Sequence, residues 1–383
     1  MIAVSQSSVG LEELAAVEGC LSRQWMGLGQ TVREFEAAFM VRLGLPSFQM
    51  TNSGSSALQR AVELLQIPRG SEIILPSYTW FTCAQAVVLN GCVPVFCDVD
   101  LATQNVTRET IDPHITSKTA AIMVVHYAGL PVDLAPILAL GFPVIEDAAH
   151  AVDSRIDGRA CGSMGTIGCY SFDAVKNLAT PDGGGITSSD PAVIHRMLEW
   201  SYSGVRSTGH TAAGLGASRW WETAITAVTP RFQPNGVSAA IGLAQLGKFD
   251  RLQARRKAIW TQYQDAFADL AWLVLPVGPA PHQQHSYFTY SVRVLGGARD
   301  TFARVLYGKG IYTTLRFPPL HRQAIYGSSA RLPMTEQLAE EALSLPLHPN
   351  LSEADVQAVI DAVRRFRPET VLVDTVRTLA SKK

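Results

Sequence analysis

Four stretches carry side chains that could do chemistry. The first, "YSFDAVKNLATPDGGG" (170–185), sets Lys176 between Ser171 and three glycines. An amine that follows a buried strand, beside a glycine-rich turn that lets backbone approach closely, is a candidate nucleophile of lowered pKa. Most lysines are simply solvated, so the rest of the chain has to decide. The second, "TNSGSSALQ" (51–59), is a polar turn running into a helix. Its free amides, with the Ser55 and Ser56 hydroxyls, suit a phosphate. Read alone it is first an N-cap.

The third, "PSYTWFTC" (76–83), puts Trp80 just past a strand end. Tryptophan there commonly packs a core, yet a flat ring cofactor needs such a surface. The fourth, "VIEDAAHA" (144–151), has two carboxylates after a buried strand, with His150 three residues beyond Asp147. A buried Asp147 needs a cationic partner, which a protonated ring nitrogen would supply. A phosphate cradle, a stacking ring, an anion for a pyridinium and an amine for a Schiff base are what pyridoxal phosphate (PLP) asks of a protein.

The elements that must position these residues follow from periodicity. "EIILP" (72–76), "VPVFCDV" (93–99), "TAAIMVVH" (119–126), "PVIED" (143–147) and "IGCYSF" (167–172) read as buried strands. Helical patterns lie between several of them, as in "SSALQRAVELLQ" (55–66) and "DLAPILAL" (133–140). That alternation predicts an α/β fold with a mostly parallel central sheet sandwiched by helices, whose ligands bind at the carboxyl ends of the strands. From residue 236 one long helical stretch runs toward residue 270, long enough to bridge two units. Beyond it, "YFTYSVRVL", a helix stopped by Gly310 and a capping box at Ser352 and Asp355 predict a smaller C-terminal α+β domain. The expected division is 1–245, a large domain including the N-terminal segment, and 246–383.

Bulk properties bound the partners. The 383 residues are 47% apolar and 17% charged, with a net charge of −1 and no basic stripe. A globular chain follows, nucleic acid and membrane are poor partners, and the low charge favours a large buried interface such as a dimer's. The six cysteines show no CxxC pair or zinc spacing and read as small core residues, so no metal is expected. Without a signal-peptide pattern or an apolar run of about 18 residues, the expectation is a soluble cytoplasmic protein.

In these motifs and their order the chain resembles the DegT/DnrJ/StrS family of PLP-dependent aminotransferases, mostly sugar aminotransferases with the type I fold. "SRQWMGLGQTVREFEAAF" is similar to the family's opening and "SGSSAL" to its phosphate loop. "EIILPSYTWFTCAQAVVLNGCVPVFCDVD", "VVHYAGLPVD", "IEDAAHAVDS" and the Lys176 stretch follow in the family's sequence. The resemblance implies that Lys176 holds PLP as the internal aldimine and that Asp147 pairs with the pyridine nitrogen. It implies that Trp80 stacks on the ring and that His150 contacts it. Gly54, Ser55 with the amides of Ser55 and Ser56, and Ser171 would take the phosphate. Glutamate or glutamine would give the amino group and a ketosugar, nucleotide-linked, would receive it in ping-pong half-reactions. A homodimer with shared sites is implied, with Arg231 crossing to the partner's cofactor phosphate.

Alternatives are a keto-cyclitol substrate, a PLP-dependent dehydratase or aminoshikimate-type synthase, and a PLP-binding regulator without turnover. The dehydratase branch has His where this chain keeps Lys176. Departures fall on the substrate side. Arg231, Phe232 and Gln233 stand where Asn-aromatic-Arg is common, and Arg316-Phe317 in "LRFPPLH" where His-Tyr is common. The 204–223 loop aligns least.

Overall fold

Seven strands make the central sheet of the computed structural model, which describes residues 1–206, 219 and 221–368. They are β1 (Gln49–Thr51), β2 (Glu72–Pro76), β3 (Val93–Cys97), β4 (Thr119–Val125), β5 (Val144–Asp147), β6 (Ile167–Ser171) and β7 (Gly184–Thr187). Their spatial order is β1-β7-β6-β5-β4-β2-β3. The run from β6 to β3 is parallel throughout, and β7 is antiparallel to both of its neighbours.

The five strands expected from apolar runs lie where the sequence places them. β1 and β7 were not expected: "QMT" and "GGIT" are too short and too glycine-rich to show a strand period. Two of the three glycines are therefore strand and not turn. Gly184 and Gly185 lie in β7, where a Cβ would meet Ser53 O at 2.4 Å and the Phe48 ring at 2.1 Å. They let the start of the helix Gly54–Leu64 and the Phe48 ring close onto the sheet.

Alternation along the parallel strands supplies a core on each face. Ile73, Leu75 and Met123 pack with Ala57, Ala61 and Val87 of the helices Gly54–Leu64 and Thr82–Leu89. Ile74, Ile122 and Val124 pack on the other face with Val99, Ile137 and Leu338. A third cluster joins Phe35, Phe39, Tyr170, Phe172 and Phe249.

The long helix is Gly236–Phe267. Ala239 and Phe249 in its first half belong to the Phe35–Phe172 cluster. Ile259, Tyr263 and Phe267 in its second half belong to a separate core with Tyr290, Phe302 and Val359. That core covers a three-stranded antiparallel sheet, β8 (Leu273–Val274), β9 (Tyr290–Val294) and β10 (Ala342–Leu345), in that order. Gly310 has φ +77° after the helix Arg299–Gly308, and Ser352 and Asp355 exchange capping-box hydrogen bonds. The N-terminal segment is tied to this second unit: Ile2 N donates to Gly310 O at 2.7 Å and Leu347 N to Val4 O at 3.2 Å. Residues 207–218, most of the loop that aligned least, lie outside the described residues.

Candidate active site

The carboxyl ends of β1, β2, β5 and β6 open into one cleft of about 810 Å³. Gly54, Ser55, Trp80, Asp147, His150, Ser171 and Lys176 all line it, drawn from four separate stretches of sequence. Ser56 and Arg231 do not.

At one end stands the start of the helix Gly54–Leu64. Ser53 is its N-cap, and Gly54 and Ser55 are its first two residues. Amides at those positions have no acceptor within the helix, so they are free for an anion. Ser56 is spent differently. Its amide donates to Ser53 Oγ at 3.1 Å, and its hydroxyl donates to Asn52 Oδ1 at 2.5 Å. The expected Ser56 contact is therefore corrected: at the third helical position its N–H turns back to the cap and its side chain is buried. Ser171 lies directly beside Gly54, where a Cβ would fall 2.6 Å from Ser171 Cβ and 2.8 Å from its Oγ. Only glycine allows that approach.

β5 ends in two adjacent carboxylates whose side chains leave opposite faces of the sheet. Glu146 is a structural anchor. It accepts from the Gly162 and Met164 amides, both at 2.7 Å, from the Gly165 amide, and from His126 Nε2 at 3.0 Å. Burial would raise its pKa, but these donors outweigh burial and hold it below the ordinary value. His126 Nδ1 accepts from Val132 N at 3.0 Å, which places the ring's proton on Nε2. Asp147 faces the cleft. Its Oδ1 accepts from Ala149 N at 2.9 Å and its Oδ2 from the Cys83 thiol at 3.2 Å.

Trp80 is 47% exposed, its ring tilted against Phe81 with centroids 4.1 Å apart. A large aromatic surface left open on a cleft wall is available to a planar ligand. His150 stacks on Phe288 at 4.1 Å and 14°. Burial first, then the nearby Lys176 and Arg316 charges, push its pKa far down, so the imidazole is neutral. Its Nδ1 is buried without a hydrogen-bond partner among the described residues.

Lys176 follows β6 through a turn closed by its own N–H to Asp173 O at 2.9 Å. The side chain is half-buried, with Nζ 4.8 Å from the Phe288 ring centroid. Burial lowers its pKa to about 8; Asp147 and Asp173 oppose the fall and Arg316 deepens it. The neutral amine at pH 7 is thereby enriched by between about two and three orders of magnitude over a solvated lysine.

Residues that touch the site come also from places the motifs did not point to: Cys83 and Phe288 contact Asp147 and Lys176, and Arg316 lines the cleft itself. Cys83 gave no signal, because a cysteine in an apolar helix reads as core. Phe288 precedes β9 in the second unit, and only the packing of that unit brings it to Lys176. Arg316 was visible as a departure in sequence and here reaches the same ring, its Cζ 5.1 Å from the Phe288 centroid. Arg231 is exposed, its guanidinium 5.2 Å over Tyr202, on a segment that packs behind the helix Gly54–Leu64 through Phe232. All six cysteines are free and buried. Among the described residues no helix is long and apolar enough to cross a membrane.

The arrangement can hold an anion at one end, offer the Trp80 face to a flat ring, oppose a cation with Asp147, and present an amine of lowered pKa. Comparison with known proteins agrees. The model of the DegT/DnrJ/EryC1/StrS aminotransferase family matches residues 8–364. The chain is 36% identical over 371 residues to the dTDP-4-dehydro-2,3,6-trideoxy-D-glucose 4-aminotransferase of Saccharopolyspora spinosa, covering 95% of this chain and 96% of that protein. Among solved structures, the aminotransferase TlmJ from Streptoalloteichus hindustanus is 38% identical with a TM-score of 0.91, covering 97% of this chain and 100% of that one. Spr1654 of Streptococcus pneumoniae, solved in its PLP form, shares the fold at 24% identity and a TM-score of 0.87, covering 94% of this chain and 97% of that one.

Proposed function

The chain belongs to the DegT/DnrJ/EryC1/StrS aminotransferase family, and on that footing we propose that it moves an amino group from an amino-acid donor to the keto carbon of a nucleotide-linked deoxyketosugar. It is a PLP-dependent aminotransferase. The substrate class rests on its likeness to the Saccharopolyspora spinosa enzyme across nearly the whole of both chains.

The residues of the cleft fit PLP. The Gly54 and Ser171 contact leaves a cradle that a Cβ would fill, the half-exposed Trp80 offers a face, and the orphaned His150 Nδ1 offers an unspent polar atom. The amides of Gly54 and Ser55 with the Ser55 and Ser171 hydroxyls would hold the phosphate. Trp80 would lie against the ring, and Asp147 would face its nitrogen. When bound, PLP supplies an aldehyde for the amines and a ring that accepts the electrons left on carbon.

The chain's own part is positioning and proton transfer. The Cys83 thiol and the Ala149 amide fix Asp147 as an oriented anion. Neutral His150 adds no charge beside Lys176. With the cofactor bound, the Lys176 amine would take a proton from the donor's α-carbon and return it two atoms away, across the nitrogen, and would run the same shuttle in reverse for the ketosugar. Because the donor's keto acid would leave the cleft before the ketosugar enters it, with the amino group kept on the enzyme, ping-pong kinetics are expected. The observation that carries the reading is the convergence of Lys176 and Asp147 on one cleft with the free amides of Gly54 and Ser55.

Exposed Leu11 (81%) and Val41 (84%), with Leu14, Trp25 and Met26, lie on the N-terminal helices and the loop between them. They supply the apolar face of a homodimer, in which exposed Arg231 would serve the partner's phosphate site. The test is a half-reaction screen. Protein converted to its amine form by glutamate or glutamine is mixed with a panel of keto compounds, and products are read by mass spectrometry. Amination of dTDP-4-ketosugars is expected; turnover of keto-cyclitols alone would replace the substrate class while leaving the aminotransferase in place.

A further inference from the structure

Arg316 is a cation without a counter-ion in the cleft. Among the described residues no carboxylate comes within 4.0 Å of it, and its Nε is buried with no hydrogen-bond partner. One terminal nitrogen donates to Ser5 Oγ at 3.4 Å, a long contact with a neutral group. The guanidinium lies over the Phe288 ring, and the backbone is pinned where Tyr127 OH donates to Arg316 O. A half-buried charge held this firmly and left unpaired is costly unless a ligand completes it.

We propose that Arg316 receives the α-carboxylate of the amino donor, an assignment that rests on the aminotransferase reading above. Besides the cofactor phosphate, the anions that enter such a cleft are the donor's α-carboxylate, the γ-carboxylate two methylenes farther out when the donor is glutamate, and the diphosphate of a nucleotide-linked sugar. The α-carboxylate is one bond from the carbon whose proton Lys176 takes, so its site has to lie beside Lys176. The diphosphate leaves C1 of the sugar, across the ring from a C4 ketone, so its site lies farther out. Arg316 and Lys176 rest on the same Phe288 ring. The α-carboxylate is therefore the better match, and the planar fork of Arg suits it in bidentate fashion. None of the cleft's own acids forms an ion pair with Arg316 among the described residues: Asp147 is held by Cys83 and Ala149, Asp173 accepts from Val175 N at 3.0 Å and Asp182 from Gly183 N at 2.8 Å.

The experiment uses PLP-loaded wild type, Arg316→Gln and Arg316→Lys, with PLP stoichiometry confirming that the cleft is formed. 2-Methylglutamate and 2-methylglutamine, which have no α-proton and are not turned over, are titrated by calorimetry. In Arg316→Gln the dissociation constant is expected to rise on the order of 100-fold, and in Arg316→Lys by a smaller factor. In single-turnover work the half-saturating glutamate or glutamine concentration rises alike, while the amine form still reacts with its ketosugar within about threefold. Unchanged binding of the methyl analogues overturns the assignment. So does a loss confined to the ketosugar half, which would give Arg316 to the diphosphate. A wild type that accepts no ketosugar would overturn the substrate reading alone, since the titration needs no turnover.

Discussion

The backbone of Gly54 rests against the side chain of Ser171, so closely that a Cβ on Gly54 would stand 2.6 Å from Ser171 Cβ. This contact joins the helix start after β1 to the end of β6, the strand that leads to Lys176. It makes one cradle from two distant stretches.

Gly54→Ala is expected to push the helix start off Ser171 and weaken PLP binding by on the order of 100-fold, with an overpacking cost of about 1–3 kcal/mol to the apoprotein. Ser171→Ala, which removes one donor and leaves the backbone in place, should cost about tenfold in PLP affinity. Fluorescence titration of apoprotein with PLP reads both. Equal affinities for wild type and Gly54→Ala would remove the cradle from the site.

The pH dependence of Lys176 follows from its surroundings. With a pKa of about 8, its amine is neutral above that value and protonated below it. Acylation of Lys176 in the apoprotein, followed by peptide mass spectrometry, should rise through a midpoint near 8 instead of the ordinary 10.5. Arg316→Gln removes a repelling charge and moves the midpoint up. Asp147→Asn removes an attracting one and moves it down. Shifts in the opposite sense would show that Arg316 and Asp147 do not act on the amine.

Cys83 is a positioning residue for Asp147. Cys83→Ser keeps a donor and is expected to hold the donor half-reaction within about threefold, while Cys83→Ala frees Asp147 Oδ2 and slows it about tenfold. The absorbance pH profile of the PLP-loaded protein should shift in Cys83→Ala and return in Cys83→Ser. Asp147→Asn should slow the same step at least about 100-fold. An alanine variant indistinguishable from wild type in rate and spectrum would assign Cys83 to packing.

Glu146 is a stability prediction, separate from chemistry. Glu146→Gln replaces an anion held by three amides and His126 and should cost about 2–3 kcal/mol in urea denaturation, without changing the ratio of the two half-reactions. Because its folded pKa lies below the ordinary 4.5, its contribution is complete above that pH and is lost as the pH falls below it. Wild type should therefore lose stability faster than the variant on acidification below pH 4.5.

Much of this was legible in residue order. The strands β2 to β6 are apolar and β-branched, and a buried parallel strand needs no partner to show its pattern. Ser352 with Asp355 announced a helix start because capping is local. β1 and β7 were hidden: three or four residues hold no period, and in β7 the glycines serve tight approach to Ser53 and Phe48, which are distant in sequence. Ser56 looked like a phosphate ligand because its type suited one, but helix geometry turns the third amide back to the cap.

By itself the sequence determined the α/β order, the strand ends where polar residues collect, and the presence there of Lys176, Asp147, Trp80 and His150. These are properties of local pattern, since each residue is placed by the strand just before it. Tertiary structure alone decided what surrounds them. It set Gly54 on Ser171, aimed the Cys83 thiol at Asp147, and brought Phe288 and Arg316 from the second unit over Lys176. The environment that lowers the Lys176 pKa and leaves Arg316 without a counter-ion is made of contacts between distant parts of the chain, and such contacts leave no period in the sequence.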